Sequence, residues 1–407
     1  MKTPDYILAF RQQFPLLVNN PELIYLDNAA TTQKPQCLLD SISHFYSYLN
    51  ANTHRANHQL ASSATQQFEL AREQVQHFIN AKHSKEIIWT KGTTESINLL
   101  AQVLSQCDLL KTKGKEILVS QFEHHANLIP WQQVCQSLGL TLTVVEVENM
   151  DANSIIKRFA QHITEDTALV ACTHVSNALG VRLPVEQIVE LAKSHNAFSL
   201  IDGAQAINHH PIDVQVLDCD FYVFSAHKMY GATGLGVLYG KQAILEQLPP
   251  YQFGGEMVSQ AQFHTATFNQ LPHKFEAGTS NTEAVVAFGA LLDWLTEQNR
   301  DKLHHYEQQL SQYLYKQLQQ LDFVQIISPK TATGSIAFNL IDWHPADVGE
   351  LLSQMNIAVR VGHHCAQPLM TKLGLSNGCI RASIAAYNTV EEINKLITGL
   401  QQIKEFE

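Results

Sequence analysis

The stretch DCDFYVFSAHKMYGATGLGVLYG, residues 218–240, places a lysine directly after an apolar run. Phe221–Phe224 has the composition of a buried β-strand, and the polar segment Ser225–Lys228 follows it at once. A lysine at this point must leave the hydrophobic layer, pair with another group or take part in chemistry. Gly231, Gly234 and Gly236, further along the stretch, would let a bulky ligand approach the backbone.

On both sides of this stretch, short apolar strands alternate with amphipathic helices. This alternation predicts an α/β fold with a mostly parallel sheet and helices on both of its faces. The predicted strands are 86–90, 116–120, 140–147, 168–172, 198–201 and 221–224. One predicted helix begins after Gly92, and two others cover 127–138 and 185–195.

The alternation weakens over 251–281, which is rich in Gly, Gln, Phe and Thr and predicts loops with a hairpin. A long helix is predicted from 283 to about 321, followed by a separate α+β unit. We therefore predict a large domain over residues 21–280 and a smaller domain formed by 1–20 and 281–407. The elements predicted in the second unit are strands 323–327, 335–340, 357–361 and 379–384, with helices 345–355 and 390–403.

Composition excludes several classes of function. The chain has 407 residues and a net charge of -11, and it contains no Lys/Arg block, which argues against a nucleic-acid partner. The N-terminus lacks the pattern of a signal peptide, and no uncharged apolar run reaches the ~18 residues of a membrane span. We expect a soluble cytoplasmic protein with no membrane partner.

The cysteines and histidines show no structural metal site or disulfide framework. Twenty histidines are dispersed, without an HExxH pattern or paired CxxC spacing, so no metal is expected. The chain is long and has seven cysteines, an odd number, so we do not expect a disulfide scaffold. Most of them lie in apolar runs and are expected to pack as small hydrophobic side chains.

Four polar loops follow predicted strands, at the sheet edge where ligands of α/β folds bind. The helix start at 91–96 could hold a phosphate or be an ordinary N-cap. His124, in the loop 123–127, could stack on an aromatic ring or belong to a solvated pair. Asp202 could pair with a pyridinium nitrogen, with Gln205 reaching the same ligand, or it could cap the next helix.

The fourth loop contains Lys228, whose amine becomes nucleophilic toward a carbonyl if partial desolvation lowers its pKa. Ser225 and His227 could donate to a phosphate, and the alternative is a lysine that extends from a strand end into solvent. Each signal is weak alone. A phosphate cup, a stacking ring, an acid for a ring nitrogen and a lysine are together explained by pyridoxal 5'-phosphate (PLP).

The combined motifs are identified as those of the class V aminotransferase family, and they resemble its Suf/Csd-type cysteine desulfurases. The resemblance implies a homodimer of PLP-dependent transferase fold type I, with a seven-stranded mostly parallel sheet in the large domain and a smaller α+β domain. The chain departs from the family at Ala226 and Ala232, where Gly and Pro are common, and at Lys91, where Arg is common. The motifs are Tyr25–Ala30, Glu123–Asn127, Thr173–Asn177, Asp202–Gln205, Ser225–Lys228, Arg360–Pro368 and Arg381–Ser383.

The resemblance also assigns roles by position. Lys228 would bind the PLP aldehyde, His124 would stack on the ring, and Asp202 would pair with the ring nitrogen. The remaining assignments are Gln205 to the ring hydroxyl oxygen; Thr94, Ser225 and His227 to the phosphate; Thr279 to the phosphate of the neighbouring subunit; Asn177 and Arg381 to the substrate, with Arg381 on its carboxylate; and Arg360, His54 and Arg55 to active-site positions of less defined role.

Cys365 separates a desulfurase from a plain aminotransferase. Its neighbours His363, His364 and Arg360 could favour the thiolate, whereas the alternative is a buried structural thiol. The resemblance implies conversion of L-cysteine to L-alanine with a persulfide on Cys365, which then passes to an acceptor of the SufE type or a scaffold protein.

Three alternatives remain open from sequence. A selenocysteine lyase would use L-selenocysteine as its main substrate, and transamination or kynurenine cleavage would not need Cys365. A non-catalytic scaffold in a sulfur-transfer complex would not need the set of Lys228, Asp202 and Cys365. Two destinations of the sulfur also remain open from sequence: iron–sulfur clusters or another sulfur-containing cofactor.

Overall fold

The computed structural model describes residues 1–54 and 57–405. Its strands include the predicted ones, with ends that shift by at most two residues, except that 357–361 forms two short strands. The strands are β1 (Ile24–Tyr25), β2 (Ile87–Thr90), β3 (Glu116–Ser120), β4 (Thr141–Val145), β5 (Thr167–Thr173), β6 (Phe198–Asp202), β7 (Phe221–Ser225), β8 (Gly236–Gly240), β9 (Val258–Ala261), β10 (Ala266–Phe268), β11 (Val324–Ile326), β12 (Ser335–Leu340), β13 (Ile357–Ala358), β14 (Arg360–Gly362) and β15 (Cys379–Ser383).

Helices connect most of these strands and cover the large sheet. Short 3₁₀ segments occur at 84–86, 125–127, 226–228 and 273–275, and a π segment occurs at 45–49. The α-helices are α1 (Asp5–Arg11), α2 (Pro15–Asn19), α3 (Gln36–His44), α4 (Gln59–Phe78), α5 (Thr93–Ser105), α6 (Leu109–Lys113), α7 (Ile129–Leu138), α8 (Ala152–His162), α9 (Val185–Ser194), α10 (Ala206–His209), α11 (Val214–Leu217), α12 (Gln242–Leu245), α13 (Thr282–Glu297), α14 (Arg300–Gln319), α15 (Pro345–Gln354), α16 (Gln367–Lys372) and α17 (Val390–Lys404).

The large sheet has seven strands in the order β2-β8-β7-β6-β5-β3-β4. Strand β8 pairs antiparallel with both of its neighbours, and the other pairs are parallel. This confirms the predicted seven-stranded, mostly parallel sheet. The central strands are buried along their whole length, which is why apolar residues dominate their sequences.

Adjacent strands of this sheet end at the same edge. Strands β5, β6 and β7 are neighbours, and they end at Thr173, Asp202 and Ser225. The 3₁₀ turn that contains Lys228 follows β7 directly. The carboxyl edge of the sheet therefore brings together polar groups that are far apart in the sequence.

A second sheet lies in the C-terminal part of the chain, with the order β11-β12-β15-β14 and antiparallel pairing. The N-terminal part joins it: β1 pairs with β13, and Asp27 forms a bridge with Ser383. The ring of Phe14 also lies 4.7 Å from that of Tyr387. These contacts fit the expectation that the N-terminus packs on the C-terminal unit, and the exact division into two domains stays a prediction.

Two predicted elements differ from the structure. The helix expected from 283 to 321 is two helices, because the chain leaves helical geometry at Gln298 and the side chain of Asn299 caps α14 by accepting from the backbone N–H of Lys302. The strand expected at 357–361 is two short strands, β13 and β14. The hairpin expected within 251–281 is confirmed as the antiparallel pair β9 and β10.

Strand β8 was missed because its sequence, Gly236–Gly240, was interpreted as part of a glycine-rich ligand loop. A Cβ on Gly236 would lie 2.4 Å from Cα of Gly92, so this glycine serves a close approach of two backbones. Over residues 1–54 and 57–405, no helix combines the length and apolar character needed to cross a membrane.

Candidate active site

A cavity of about 230 Å³ opens at the carboxyl edge of the large sheet, where the C-terminal unit covers it. Its walls come from segments that lie up to about 350 residues apart in the chain. Eleven of the predicted site residues line it: Thr94, His124, Asn177, Asp202, Gln205, Ser225, His227, Lys228, Arg360, Cys365 and Arg381.

One end of the cavity is formed by the N-terminus of α5. The Ser225 hydroxyl accepts from the backbone N–H of Thr93 at 2.8 Å and shares a second 2.8 Å hydrogen bond with Thr93 Oγ1. Gly92 precedes the helix with φ 154°, a conformation that favours glycine. The helix N-terminus, two hydroxyls and His227 thus form a small polar cup suited to a phosphate.

The loop after β3 places the His124 ring in the wall of the cavity. Its Nδ1 accepts from the backbone N–H of Ala126 at 3.0 Å, which leaves the proton on Nε2 of the neutral ring. Burial, reinforced by the charge of Lys228, lowers the pKa of His124 to about 3. The ring is therefore neutral at physiological pH and can lie against an aromatic ligand.

Asp202 ends the buried strand β6 and faces the same cavity. Its Oδ1 accepts from the backbone N–H of Ala204 at 2.9 Å. Burial raises the pKa of Asp202, whereas the positive charge of Lys228 acts in the opposite direction. A carboxyl group in such a dry position is stabilised as the anion by a cationic partner, such as a protonated ring nitrogen. Gln205 is fixed beside it by a 2.9 Å hydrogen bond to the carbonyl of Ala29.

The turn that carries Lys228 is closely packed. Burial lowers the pKa of Lys228, and Asp202 opposes that shift. The methyl group of Ala226 is accommodated because this residue begins a 3₁₀ turn and lacks a positive φ. A Cβ on Gly231 would lie 2.8 Å from Cβ of Ala226, so glycine is needed at 231. The lysine amine is thus held in an environment that favours its neutral, nucleophilic form.

Arg381 provides the main positive charge on the opposite wall. Nη1 donates to the carbonyl of Asn177 at 2.8 Å, and Nη2 pairs with Asp27 at 3.0 Å. Arg360 reaches the other oxygen of Asp27 at 3.5 Å. One carboxylate therefore bridges two guanidinium groups, and a substrate carboxylate would enter a site that already attracts such a group.

The loop that carries Cys365 closes this wall. The carbonyl of His364 accepts from Asn177 Nδ2 at 2.6 Å, and the carbonyl of Cys365 accepts from the backbone N–H of His125 at 2.7 Å. His364 and Cys365 have φ values of 53° and 54°, in the left-handed region that non-glycine residues rarely adopt. Hydrogen bonds to two other loops stabilise this strained turn, and the thiol itself is exposed.

Unpartnered polar atoms show what this cavity is built to receive. Nδ1 of His227, Oδ1 of Asn177 and Nε of Arg381 are buried and have no hydrogen-bond partner within the described part of the chain. Buried polar atoms without partners are costly, so a bound group is expected to satisfy them. A phosphate at the α5 end matches Nδ1 of His227, and a carboxylate matches Nε of Arg381. Oδ1 of Asn177 is an acceptor, which the amine of a substrate can satisfy. The residues present therefore fit PLP together with an amino-acid substrate.

The sequence matches the family model "Aminotransferase class-V" over residues 24–396. The chain belongs to the class V aminotransferase family. Its relatives include a probable cysteine desulfurase of Vibrio cholerae, 44% identical over 97% of each chain. A cysteine desulfurase of Escherichia coli is 43% identical over the same share of each chain.

Solved structures of this class V family agree with the fold. The cysteine desulfurase CsdA of Escherichia coli superposes with a TM-score of 0.90 at 36% identity, covering 98% of each chain. A cysteine desulfurase of Thermococcus onnurineus gives a TM-score of 0.92 at 34% identity, covering 100% of this chain and 99% of the other. The predicted fold type I architecture is thereby confirmed.

Three predicted site residues do not line the cavity of this class V enzyme. Thr279 is exposed and lies outside this cavity, in a separate one that Lys91 also lines. His54 is also exposed, and its Nε2 lies 3.0 Å from an oxygen of Glu69. Arg55 lies outside the described residues. The roles of all three stay predictions.

Sequence reasoning missed Asp27, which joins both arginines. Its only signal was an acid two residues after the short strand β1, because the partners are more than 300 residues away. The expected help of His364 to the Cys365 thiolate is wrong. Burial and Arg381 lower the pKa of His364 to about 3, so this ring carries no positive charge at neutral pH. Of the three neighbours expected to favour the Cys365 thiolate, Arg360 is the one that is positively charged and lines the cavity.

Arg381→Lys should raise KM for the amino-acid substrate by about 10- to 100-fold with a smaller effect on kcat. Lysine keeps one positive charge but cannot form a two-pronged contact with a carboxylate, and hydrogen bonds to charged groups contribute about 1.5–3 kcal/mol each. Steady-state kinetics with varied substrate measures the effect. An unchanged KM would show that the carboxylate binds elsewhere.

Glu123 should make stability fall as the pH rises. It is buried, accepts from Asn127 Nδ2 at 2.6 Å and from the backbone N–H of Thr173 at 2.9 Å, and burial raises its pKa to about 8. Protonated Glu123 therefore adds to the free energy of unfolding. This contribution is complete below the ordinary carboxyl pKa of 4.5, and it is lost as the pH rises through about 8.

Glu123→Gln cannot ionise and should flatten this dependence. Thermal melts of both proteins between pH 5 and 9 test it, with Glu186→Gln at an exposed position of helix α9 as the control. Parallel Tm-against-pH curves for the Glu123→Gln variant and the parent protein would contradict the assignment.

Proposed function

We propose that this protein is a PLP-dependent cysteine desulfurase, which converts L-cysteine to L-alanine and leaves a persulfide on Cys365. One observation carries the proposal: Lys228, Arg381 and Cys365 line a single cavity within one chain. A plain aminotransferase needs the first two and has no use for an exposed thiol at the third position. The names of the relatives support the same activity.

The residues that would hold PLP lie on the large sheet. Lys228 would bind its aldehyde carbon, Asp202 its ring nitrogen and Gln205 its ring hydroxyl oxygen. The phosphate would lie at the α5 end, with Thr94, Ser225 and His227. The chemistry that the cofactor supplies when bound is withdrawal of electrons from the α-carbon of the substrate.

The chain's own groups orient the substrate and move its proton. Arg381 binds the substrate carboxylate, and Asn177, fixed by the carbonyl of His364, limits how the substrate can rotate. The lowered pKa of Lys228 keeps a fraction of its amine neutral, and a neutral amine can remove the α-proton. His124 is neutral as well, so it covers a ring without adding charge to it.

Sulfur transfer uses the thiolate of Cys365 as nucleophile. A new S–S bond forms between Sγ of Cys365 and the sulfur of the substrate, while the bond from that sulfur to the β-carbon breaks. The electron pair of the broken bond stays with the β-carbon, which takes up a proton. The α-carbon regains the proton that Lys228 removed, and the fragment leaves as L-alanine. The sulfur remains on Cys365 as a persulfide.

The exposed position of Cys365 fits delivery to a second protein. We propose a SufE-type acceptor or a scaffold as that partner, with the sulfur used for iron–sulfur clusters or another sulfur-containing cofactor in the cytoplasm.

A homodimer is proposed because Thr279 and His54 lie outside the cavity of their own chain. L-selenocysteine remains an alternative substrate, and its turnover should be compared with that of L-cysteine.

The decisive assay measures L-alanine from the PLP-loaded protein given L-cysteine, with and without candidate acceptors. We expect alanine formation that is stimulated by the correct acceptor, together with a persulfide on the enzyme. Formation of a keto acid in place of alanine would indicate transamination. Alanine formation from selenocysteine but not from cysteine would assign the protein as a selenocysteine lyase.

A further inference from the structure

A second lysine lies next to the turn of Lys228. Lys34 is half-buried in the segment between β1 and α3. Its Nζ donates to the carbonyl of Thr32 at 2.6 Å, to the carbonyl of His227 at 3.1 Å and to Thr31 Oγ1 at 3.3 Å. None of the described carboxylates forms an ion pair with it, and burial lowers its pKa to about 7. Both protonation states of the amine can donate hydrogen bonds.

The carbonyl of His227 accepts from an unusual number of donors. Besides Lys34 Nζ, the backbone N–H of Thr32 and the hydroxyls of Thr31 and Thr32 each lie 3.1 Å from this oxygen. A carbonyl oxygen has two lone pairs, so four donors exceed what one peptide group ordinarily requires. The residue that follows this carbonyl is Lys228.

The rest of the turn is fixed as well. The backbone N–H of Ala226 donates to the carbonyl of Leu235 at 3.0 Å, and the carbonyl of Ala226 accepts from the N–H groups of Met229 and Gly231. The N–H of Tyr230 donates to Thr32 Oγ1 at 2.7 Å. The segment around Lys34 thus binds this turn through several hydrogen bonds.

We propose that Lys34 is a positioning residue, whose Nζ holds the carbonyl of His227 and thereby fixes the backbone from which Lys228 enters the cavity. Lys34 does not line that cavity and so touches neither cofactor nor substrate. The proposal rests on the proposed role of Lys228 as the lysine that binds PLP. Burying an amine among neutral acceptors costs free energy. The protein would retain such a lysine if the geometry of this turn limits the rate of the reaction.

The test compares Lys34→Met with Lys274→Met. Lys274 is a matched control because its Nζ also donates to two backbone carbonyls, those of Glu246 and Leu248, and it does not line the cavity. PLP is added to each apoprotein, and the growth of the visible absorption band is followed. We expect Lys34→Met to form the band about 10-fold more slowly and to lose about 10-fold in kcat with an unchanged KM. Lys274→Met should behave as the parent protein.

A purely structural role would lower Tm without this rate signature. Equal rates of band formation in Lys34→Met and the parent protein would overturn the proposal. Lys34→Arg, which keeps donors near the same carbonyl, should recover part of the rate, and a variant as slow as Lys34→Met would count against it.

If Lys34→Met does not fold, Thr31→Val decides. The Thr31 hydroxyl donates to the same carbonyl and accepts from Lys34 Nζ, so slower band formation supports the positioning role and an unchanged rate rejects it. Band formation needs PLP alone and no sulfur chemistry. A parent protein that binds PLP but releases no alanine from cysteine would therefore refute the proposed function and leave the test of Lys34 valid.

Discussion

Cys365→Ser should bind PLP with the same visible colour and lose at least about 10³-fold in L-alanine formation from L-cysteine. A serine hydroxyl is far less ionised than a thiol at neutral pH and is a poor nucleophile toward sulfur. Because the side chain of Cys365 is exposed, the substitution should leave folding intact. Alanine quantification together with mass spectrometry of the intact protein measures both expectations.

Cys107→Ser is the matched control for this variant, because Cys107 is a free, half-buried thiol outside the cavity. It should retain full alanine formation and a persulfide on the enzyme. Normal alanine formation by Cys365→Ser would remove the nucleophile from the mechanism and favour one of the reactions that do not require a thiol.

Lys228→Ala should lose the visible band of the lysine-linked cofactor and about 10⁴-fold or more of alanine formation. The substitution removes both the amine that binds the aldehyde and the base that takes the α-proton. Asp202, whose buried carboxyl lies under the influence of the Lys228 charge, should then become harder to ionise. Absorption spectra and borohydride trapping of the cofactor on the protein provide the measurement.

Lys193→Ala is a suitable control, since this exposed lysine pairs with Asp218 at the surface and does not line the cavity. Its spectrum and activity should match those of the parent protein. Cofactor that is still trapped covalently on Lys228→Ala, at a different lysine, would show that the assignment from the β7 turn is wrong.

Much of the fold could be predicted from sequence because buried parallel strands leave an unambiguous signature. Apolar and aromatic residues dominate Phe198–Asp202 and Phe221–Ser225, and each segment ends in a polar residue at the sheet edge. Strand β8 escaped because glycine has low strand propensity, and only the contact with Gly92 in three dimensions explains its composition.

The site was predictable where chemistry follows a strand directly, and less so where it depends on contacts across the chain. Lys228, Asp202 and His124 each follow a strand end, so their proximity followed from the parallel sheet. Asp27 and Lys34 were not predicted, because their partners Arg381 and His227 are remote in sequence. The neutral state of His364 depends on burial, which local sequence does not reveal.

The central claim is that the amine of Lys228 and the thiol of Cys365 act on the same substrate molecule. A single-turnover reaction with one equivalent of L-cysteine tests this claim directly. One half of the sample is alkylated to preserve the persulfide, the other half is reduced with borohydride to trap the cofactor, and both are analysed by peptide mass spectrometry. The account predicts cofactor on the peptide that contains Lys228, one persulfide sulfur on the peptide that contains Cys365, and an equal amount of L-alanine. Alanine without sulfur on Cys365, or cofactor on another lysine, would contradict it.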